Sequence, residues 1–500
     1  MHRTYVTVSI PYVNAPPHLG YALELVQADT LARVRRAAGE EVRLLGGTDE
    51  NSLKNVLAAA EEGVPTETLV DRNAGRFAAL AEPLGVRFDD FIRTSHDPRH
   101  RPGVEALWRA SAARGDFYKK WYEGAYCVGC EQFYAAADLR GGRCPEHDTP
   151  TEWVAEENWF FRLGRYEERL SALLEAGTLR VVPEEYGREA LAFVRAGLED
   201  ISVSRSRQRA RGWGIPVPGD DGQVVYVWWD ALANYVTALG YGSDDSSDYR
   251  RWWVEADERI HVIGKGILRF HAVYWPALLL SAGEPLPTTI YVHPYLTAGG
   301  RKLSKSGGAT ADPVAIAGRY GTHALRWWLL RDVARRADTD FTEERLVSRS
   351  DEDLANGVGN LARRVDALVG QLRSGRAPSV AEDDLDTDIA ARARALPAAV
   401  AERVAAFDFR GALGKVLDLV AATNRHIEAV RPWELARTEE ADGAHAAAID
   451  RCLASAALAV RTAGDVLEPF LPGVATALAR SGPAFRRLGA GKGPPAAAQR

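Results

Sequence analysis

The sequence predicts a parallel α/β domain that is interrupted by an inserted module and followed by an α-helical bundle. Three observations lead there. The chain opens as strand, turn and helix and soon repeats that unit, whereas clustered cysteines and crowded aromatic residues break the alternation from about Tyr118 to Trp213. Beyond about Ala324 strand patterns almost vanish. Five hundred residues also exceed one core, since single cores stop growing at about 250–300 residues, so several domains are required.

Thr4 to Ile10 is rich in β-branched residues and is stopped by Pro11, so it reads as a strand. Asn14-Ala15-Pro16-Pro17 reads as a turn, and helical spacing begins at about His18. A second unit follows, with a strand from Glu41 to Leu45, a turn at Thr48-Asp49-Glu50 and an Ala/Leu-rich helix. After the irregular module, strands are expected at Val224 to Trp228, Ile260 to Ile263 and Ile290 to His293. From about Ala324 to Arg480 apolar residues recur at helical spacing, which gives the bundle. The final stretch, Leu488 to Arg500, is small and turn-rich with little to bury, and a frayed tail is expected. There is no internal repeat of about 20–50 residues.

Composition narrows the class. Hydrophobic residues make up 46% and charged residues 26%, the balance of a globular enzyme rather than a disordered or fibrous chain. No run approaches the ~20 apolar residues a bilayer needs, so no membrane partner is expected and the cytoplasm is the default. A formal charge of −6 argues against a coat of basic surface, although local patches can still bind nucleic acid. Cys127, Cys130 and Cys144 lie close together, which suits a metal site in a reducing compartment; Cys452, in an Ala/Leu-rich helix, reads as core.

Three segments carry chemistry. His18-Leu19-Gly20 falls at a helix start directly after a strand, where free N–H groups and the positive end of the helix dipole attract phosphate; a core histidine beside a proline turn is the plain alternative. In Gly299-Gly300-Arg301-Lys302-Leu303-Ser304-Lys305-Ser306-Gly307-Gly308, two lysines three apart sit among glycines. They could neutralise charge on phosphates while the loop closes, or simply form a solvated basic loop. Cys127-x-x-Cys130 and Cys144-x-x-His147 form two short ligand pairs able to converge on one tetrahedral zinc. That spacing favours a closed, structural site.

The helix-start histidine and the lysine loop resemble the HIGH and KMSKS signatures of class I aminoacyl-tRNA synthetases, and they could face one nucleotide. Flanking stretches resemble the methionyl branch over nearly the whole chain: Gly47-Thr48-Asp49-Glu50, Tyr226-Val227-Trp228-Trp229-Asp230-Ala231-Leu232, and His261-Val262-Ile263-Gly264-Lys265 running to Phe270-His271 and Trp275-Pro276. The resemblance implies a Rossmann-type catalytic domain in two halves, 1–116 and 215–323, with a connective domain and zinc knuckle at 117–214. It further implies a stem-contact linker at 324–350, a helical anticodon-binding domain at 351–485 and a disordered tail at 486–500. Catalysis would fall to His18, Tyr21, Lys302 and Lys305, and ATP would be held by Pro11, His18, Gly20, Gly264, Lys302, Ser304 and Lys305 with Mg²⁺.

By the same resemblance, Ser9, Ile10, Tyr12, Trp228, Ala231, Leu232, Tyr235, Ile267 and His271 would hold methionine, with Asp49 on its ammonium group. The chemistry agrees: an aromatic and aliphatic pocket suits a flexible thioether, and a carboxylate suits an α-amino group. Asn360, Arg364 and Trp433 would read the tRNA(Met) anticodon by stacking and edge hydrogen bonds, although a capping Asn and a core Trp are the bland alternative. Arg205, Arg207, Arg209 and Arg211 would approach the substrates or the tRNA acceptor end, or form an exposed basic run. The implied enzyme is a monomer.

Three places depart from the family pattern. Tyr21 replaces the second histidine of the first signature, Asn51-Ser52 replaces His-Gly after Asp49-Glu50, and Gly266 replaces an aspartate near the ATP ribose. Each lost contact would cost roughly 1–3 kcal/mol if nothing substitutes for it. Two rival functions follow: a specialised paralogue that tolerates an inhibitor or adenylates an amino acid for another acceptor, and a catalytically weak RNA-binding regulator.

Overall fold

The computed structural model describes residues 1–128, 132–134, 136–145, 148–302, 311–439, 443–480 and 483–489. The chain divides into two compact units, one mainly 1–294 and the other mainly 295–500.

The first unit is built on a six-stranded, all-parallel sheet. Its strands are β1 (Arg3–Val8), β2 (Glu41–Thr48), β3 (Asp90–Arg93), β4 (Arg180–Val182), β5 (Glu258–Gly264) and β6 (Thr289–His293), in the spatial order β3-β2-β1-β5-β6-β4. β1 and β6 read as apolar runs because a parallel sheet is covered on both faces; every residue of β6 is buried. The edge strand β4 arises inside the segment 117–214, so part of that segment completes the parallel sheet.

Two helices position the site. α1 (Leu19–Ala37) follows β1, and α2 (Leu53–Glu62) follows β2 with the Ser52 side chain accepting from the Lys54 amide as its cap. The strand expected at Val224 to Trp228 is corrected: the strand runs Asp220–Val225, and α3 (Val227–Thr237) begins immediately after it. α3 is buried almost all round, so its sequence lacks the polar stripe that marks a surface helix and imitates a core strand. The Asp220–Val225 strand joins a small antiparallel sheet with Ser204–Ser206 and Pro216–Val217, not the parallel one.

The rest of the insertion centres on a second antiparallel sheet, in which Phe117–Cys127 pairs along its length with Glu152–Phe161. In the second unit α4 (Gly359–Arg373), α5 (Thr387–Ala405), α6 (Phe409–Val430) and α7 (Gly443–Leu467) form the predicted bundle. Leu361, Val365 and Leu368 on α4 and Val400 and Val404 on α5 are among its buried residues, spaced three or four apart within each helix, and Val416, Leu453 and Leu467 are buried with them. Cys452 is core, as its setting predicted, and burial pushes its thiol up to about 11. The start of the expected tail is anchored: the amides of Leu488 and Gly489 donate to Asp351, while 490–500 lie outside the described residues. Among the described residues, no helix is long and apolar enough to cross a membrane.

Candidate active site

Strand order reverses between β1 and β5, and in open parallel sheets ligands bind outside the carboxyl ends of the strands at that point. The sequence places its candidates there. β1 leads through Ser9, Ile10, Pro11 and Tyr12 to His18, and β5 ends at Gly264 before the Lys265–Ile267 turn. Beside them β2 ends at Thr48, and Asp49 bridges Tyr12 while its amide donates to the Pro11 carbonyl at 3.0 Å.

His18 precedes α1, and the Tyr21 amide donates back to its carbonyl at 3.0 Å. The first turn of α1 carries no acidic residue that would repel an anion. A Cβ on Gly20 would lie 3.0 Å from the His18 ring, so any larger residue there would push that ring aside. Tyr21 is 6% exposed, packs edge-on against Phe77 at 5.5 Å, and its hydroxyl meets no hydrogen-bond partner among the described residues. Burial, reinforced by the Glu24 charge, holds that phenol neutral well above its ordinary range. Lys302 pairs through its backbone with Thr297 in the second unit, and Ser304 and Lys305 lie outside the described residues.

α3 and the segment after β5 carry several of the residues predicted to hold the amino acid. Trp228 stacks on Phe270 at 3.6 Å and meets the Tyr12 ring edge-on at 6.3 Å. The Tyr235 hydroxyl lies 2.7 Å from Nε2 of His271, whose Nδ1 lies 2.9 Å from the Ile267 carbonyl. Burial pushes His271 down to about 4, so the imidazole is neutral at physiological pH. Ala231 and Asp49 are buried nearby in the fold, and Leu232 and Tyr235 both belong to the main apolar core. Phe270, absent from the predicted set, is the ring that stacks on Trp228; its place in the quoted Phe270-His271 pair was the available signal.

Polar networks brace these loops, and sequence reasoning missed them. Ser9 donates through both its amide and its hydroxyl to Glu24 Oε1 at 2.6 Å, and His293 Nε2 stands 3.1 Å from Glu24 Oε2. The buried Glu50 carboxylate receives Thr48 and Arg93, each at 2.7 Å. Asn51, one of the three departures, donates to Asp230 at 2.7 Å; another, Gly266, lies in the turn after β5. Apart from the local Thr48–Glu50 bond, no spacing rule pairs such residues, since the other partners are 15 to 269 positions apart.

In the insertion, Arg205 is buried and stacks on Tyr226 at 4.3 Å, Arg209 stacks on Tyr126 at 4.1 Å, and only Arg207 and Arg211 are exposed. The four arginines are therefore not one exposed run. Cys127 and Cys144 are buried and both surround Thr149: Cys127 Sγ is 4.0 Å from its hydroxyl, and the Cys144 amide donates to its carbonyl at 2.9 Å. Cys130 and His147 lie outside the described residues. Among the described residues no group of three metal-binding side chains occurs.

In the bundle, Arg364 lies over the Trp433 ring at 5.6 Å and donates to Asn424 and to Glu428. Asn360 is exposed one turn earlier on α4, so the three predicted readers share one region of this unit.

Comparison with known proteins adds to this geometry. The family model described as tRNA synthetases class I (M) matches residues 4–152 and 138–366. The methionine–tRNA ligase of Brucella suis biovar 1 is 40% identical over 475 residues, covering 94% of this chain and 90% of the relative. That of Mycobacterium tuberculosis (strain CDC 1551 / Oshkosh) is 40% identical over 478 residues, with the same coverage. The solved structure of Mycobacterium tuberculosis methionyl-tRNA synthetase in complex with methionyl-adenylate superimposes with a TM-score of 0.89 at 38% identity, covering 96% of this chain and 93% of that one. Its free-state form gives 0.82 at 36% identity, covering 96% and 91%. The chain belongs to the class I tRNA synthetases, in their methionine–tRNA ligase family.

Proposed function

We propose that this chain is a methionine–tRNA ligase, which forms methionyl-adenylate from methionine and ATP and then transfers the methionyl group to tRNA(Met). One observation carries the reading: an aromatic wall of Tyr12, Trp228 and Phe270 continues to a neutral Tyr235–His271 pair, on the same end of the sheet as the buried carboxylate of Asp49. Such a pocket takes an uncharged, polarizable side chain while the carboxylate takes its ammonium group. A charged side chain would lose its hydration against these rings.

In the first step a methionine carboxylate oxygen attacks the ATP α-phosphorus, and diphosphate leaves. In the second the terminal ribose hydroxyl of the tRNA attacks the adenylate carbonyl, and AMP leaves. Positioning and charge stabilisation supply the rate, without a covalent enzyme intermediate. The start of α1 with His18 and Gly20 is suited to phosphate, Lys302 and Lys305 supply positive charge, and Mg²⁺ accompanies ATP. The Arg364–Trp433 stack supports tRNA as the acceptor, since unstacked bases are recognised on such surfaces.

Cys127, Cys130, Cys144 and His147 would hold one structural zinc. The buried thiols of Cys127 and Cys144 would supply half of a tetrahedral donor set, and the ion would cross-link the loops without entering the reaction. The test of the whole reading is ATP–diphosphate exchange screened over the standard amino acids, followed by charging of purified tRNA. Exchange driven by methionine and charging of tRNA(Met) are expected. Preference for another amino acid overturns the substrate, exchange without charging favours another acceptor, and tight tRNA binding without exchange selects the regulator.

A further inference from the structure

Asn51 Nδ2 donates to Asp230 Oδ2 at 2.7 Å, with a second, longer approach of 3.4 Å to the Thr94 carbonyl. Two acceptors face that nitrogen, which fixes the orientation of the amide. The other Asp230 oxygen is held by Nε2 of His100, and Nδ1 of His100 stands 2.8 Å from the Thr237 hydroxyl. Asp230, His100 and Thr237 are each no more than 1% exposed.

Asp230 and Thr237 stand on the first and last turns of α3, so His100 grips that helix at both ends. The helix carrying His100 comes close enough to do so because residue 103 is glycine, where a Cβ would fall 2.4 Å from a Thr237 methyl group. This leaves one Asp230 oxygen for the loop after β2, and Asn51 takes it. The same loop is pinned from two further sides, by Trp213 Nε1 at 2.8 Å and Asn55 Nδ2 at 2.9 Å, both donating to the Glu50 carbonyl.

We infer that Asn51 is a positioning residue of the amino-acid site: through Asp230 it sets the separation between the Asp49 loop and the pocket wall on α3. Asp49 stands two residues before Asn51, while Trp228 and Ala231 flank Asp230. The inference rests on the proposed reading of this pocket as the methionine site. Removing the amide leaves a buried acceptor oxygen unmet, and the loop or the helix must then shift, or water must enter. Ammonium and side chain would no longer be held at matching distances, whereas the phosphate-binding start of α1 is built from other residues. The effect is therefore selective for one substrate.

The test is exchange kinetics on the full chain. Asn51→Ala is expected to raise the methionine KM about tenfold or more, with the ATP KM within twofold of the parent. Asn51→His, which keeps an N–H donor, is expected to recover most of that loss. In an Asp230→Asn background Asn51→Ala is expected to add little, because the charged acceptor it served is gone. An unchanged methionine KM, an equal rise in both KM values, or additive effects in the double variant would overturn the inference. Should Asn51→Ala fail to fold by circular dichroism, Asn51→His and Asp230→Asn give the same comparison. Absence of methionine-driven exchange in the parent chain would sink the reading of the pocket instead.

Discussion

The Tyr235 hydroxyl donates to Nε2 of His271 across 2.7 Å, and this direction follows from the other side of the ring, where Nδ1 must donate to the Ile267 carbonyl at 2.9 Å. A neutral imidazole has one donor and one acceptor, and both are thereby used inside the protein. Tyr235→Phe would strand Nε2 as a buried acceptor, at about 1–3 kcal/mol. A rise in the methionine KM of at least about fivefold is expected in ATP–diphosphate exchange, with the ATP KM unmoved. An unchanged methionine KM would remove His271 from the pocket wall.

The same burial makes stability depend on pH. Above the ordinary histidine value of 6.5 both folded and unfolded chains carry His271 neutral; below it the unfolded chain takes up a proton that the folded chain refuses until about pH 4. Stability is thus fully present above about 6.5 and is lost as pH falls from there to about 4, by about 3 kcal/mol for this group alone. His261, buried against Tyr235, is shifted in the same direction. Urea titrations of the first-unit signal at pH 7 and pH 5 should show this fall, and His271→Gln should flatten it. Parallel pH profiles for parent and variant would refute the assignment.

The start of α1 is the phosphate element of the proposed reaction. Removing one preorganised donor to developing charge lowers kcat by about 10²–10³. His18→Ala is accordingly expected to reduce the exchange rate by that factor and to leave the methionine KM near the parent value. A full-rate His18→Ala enzyme would return this histidine to the role of a packing residue.

Legibility in the sequence followed the range of the interaction. β1, β2, β5 and β6 were readable because apolar runs and the turns that stop them are local, and so was the helix start at Leu19. α3 was misread at its first turn because burial on all sides erased its periodicity. The Glu24–His293 and Asn51–Asp230 contacts were invisible for a different reason: they join residues 269 and 179 positions apart, which only the parallel topology brings together. Tyr21 stands at a signature position, yet its chemistry is set by Phe77 and by burial, which a motif does not encode.

The buried Cys127 and Cys144 thiols make a prediction independent of catalysis. The chain should carry one zinc, measurable by native mass spectrometry or atomic absorption. Cys144→Ser should lose the ion and melt at a lower temperature, while Cys452→Ser, altered in the bundle core, should keep it. Zinc-free protein with an unaltered melting curve would reduce the cluster to buried thiols.

Arg364 links α4 to α6 by its bonds to Asn424 and Glu428 and presents its guanidinium to the Trp433 ring. A purely structural stack would contribute to bundle stability and nothing else. A base reader would instead act on tRNA alone, because stacking of one base on an aromatic ring is worth about 1–3 kcal/mol. Trp433→Ala is therefore expected to lower kcat/KM for tRNA(Met) charging by roughly 5–150-fold, while exchange, which needs no tRNA, stays at the parent rate. Arg364→Lys keeps the charge but loses the planar fork, and should fall in the same direction by a smaller factor. Equal charging efficiency in both variants, with only the melting temperature lowered, would return these residues to the packing of the bundle and leave the anticodon to be read elsewhere.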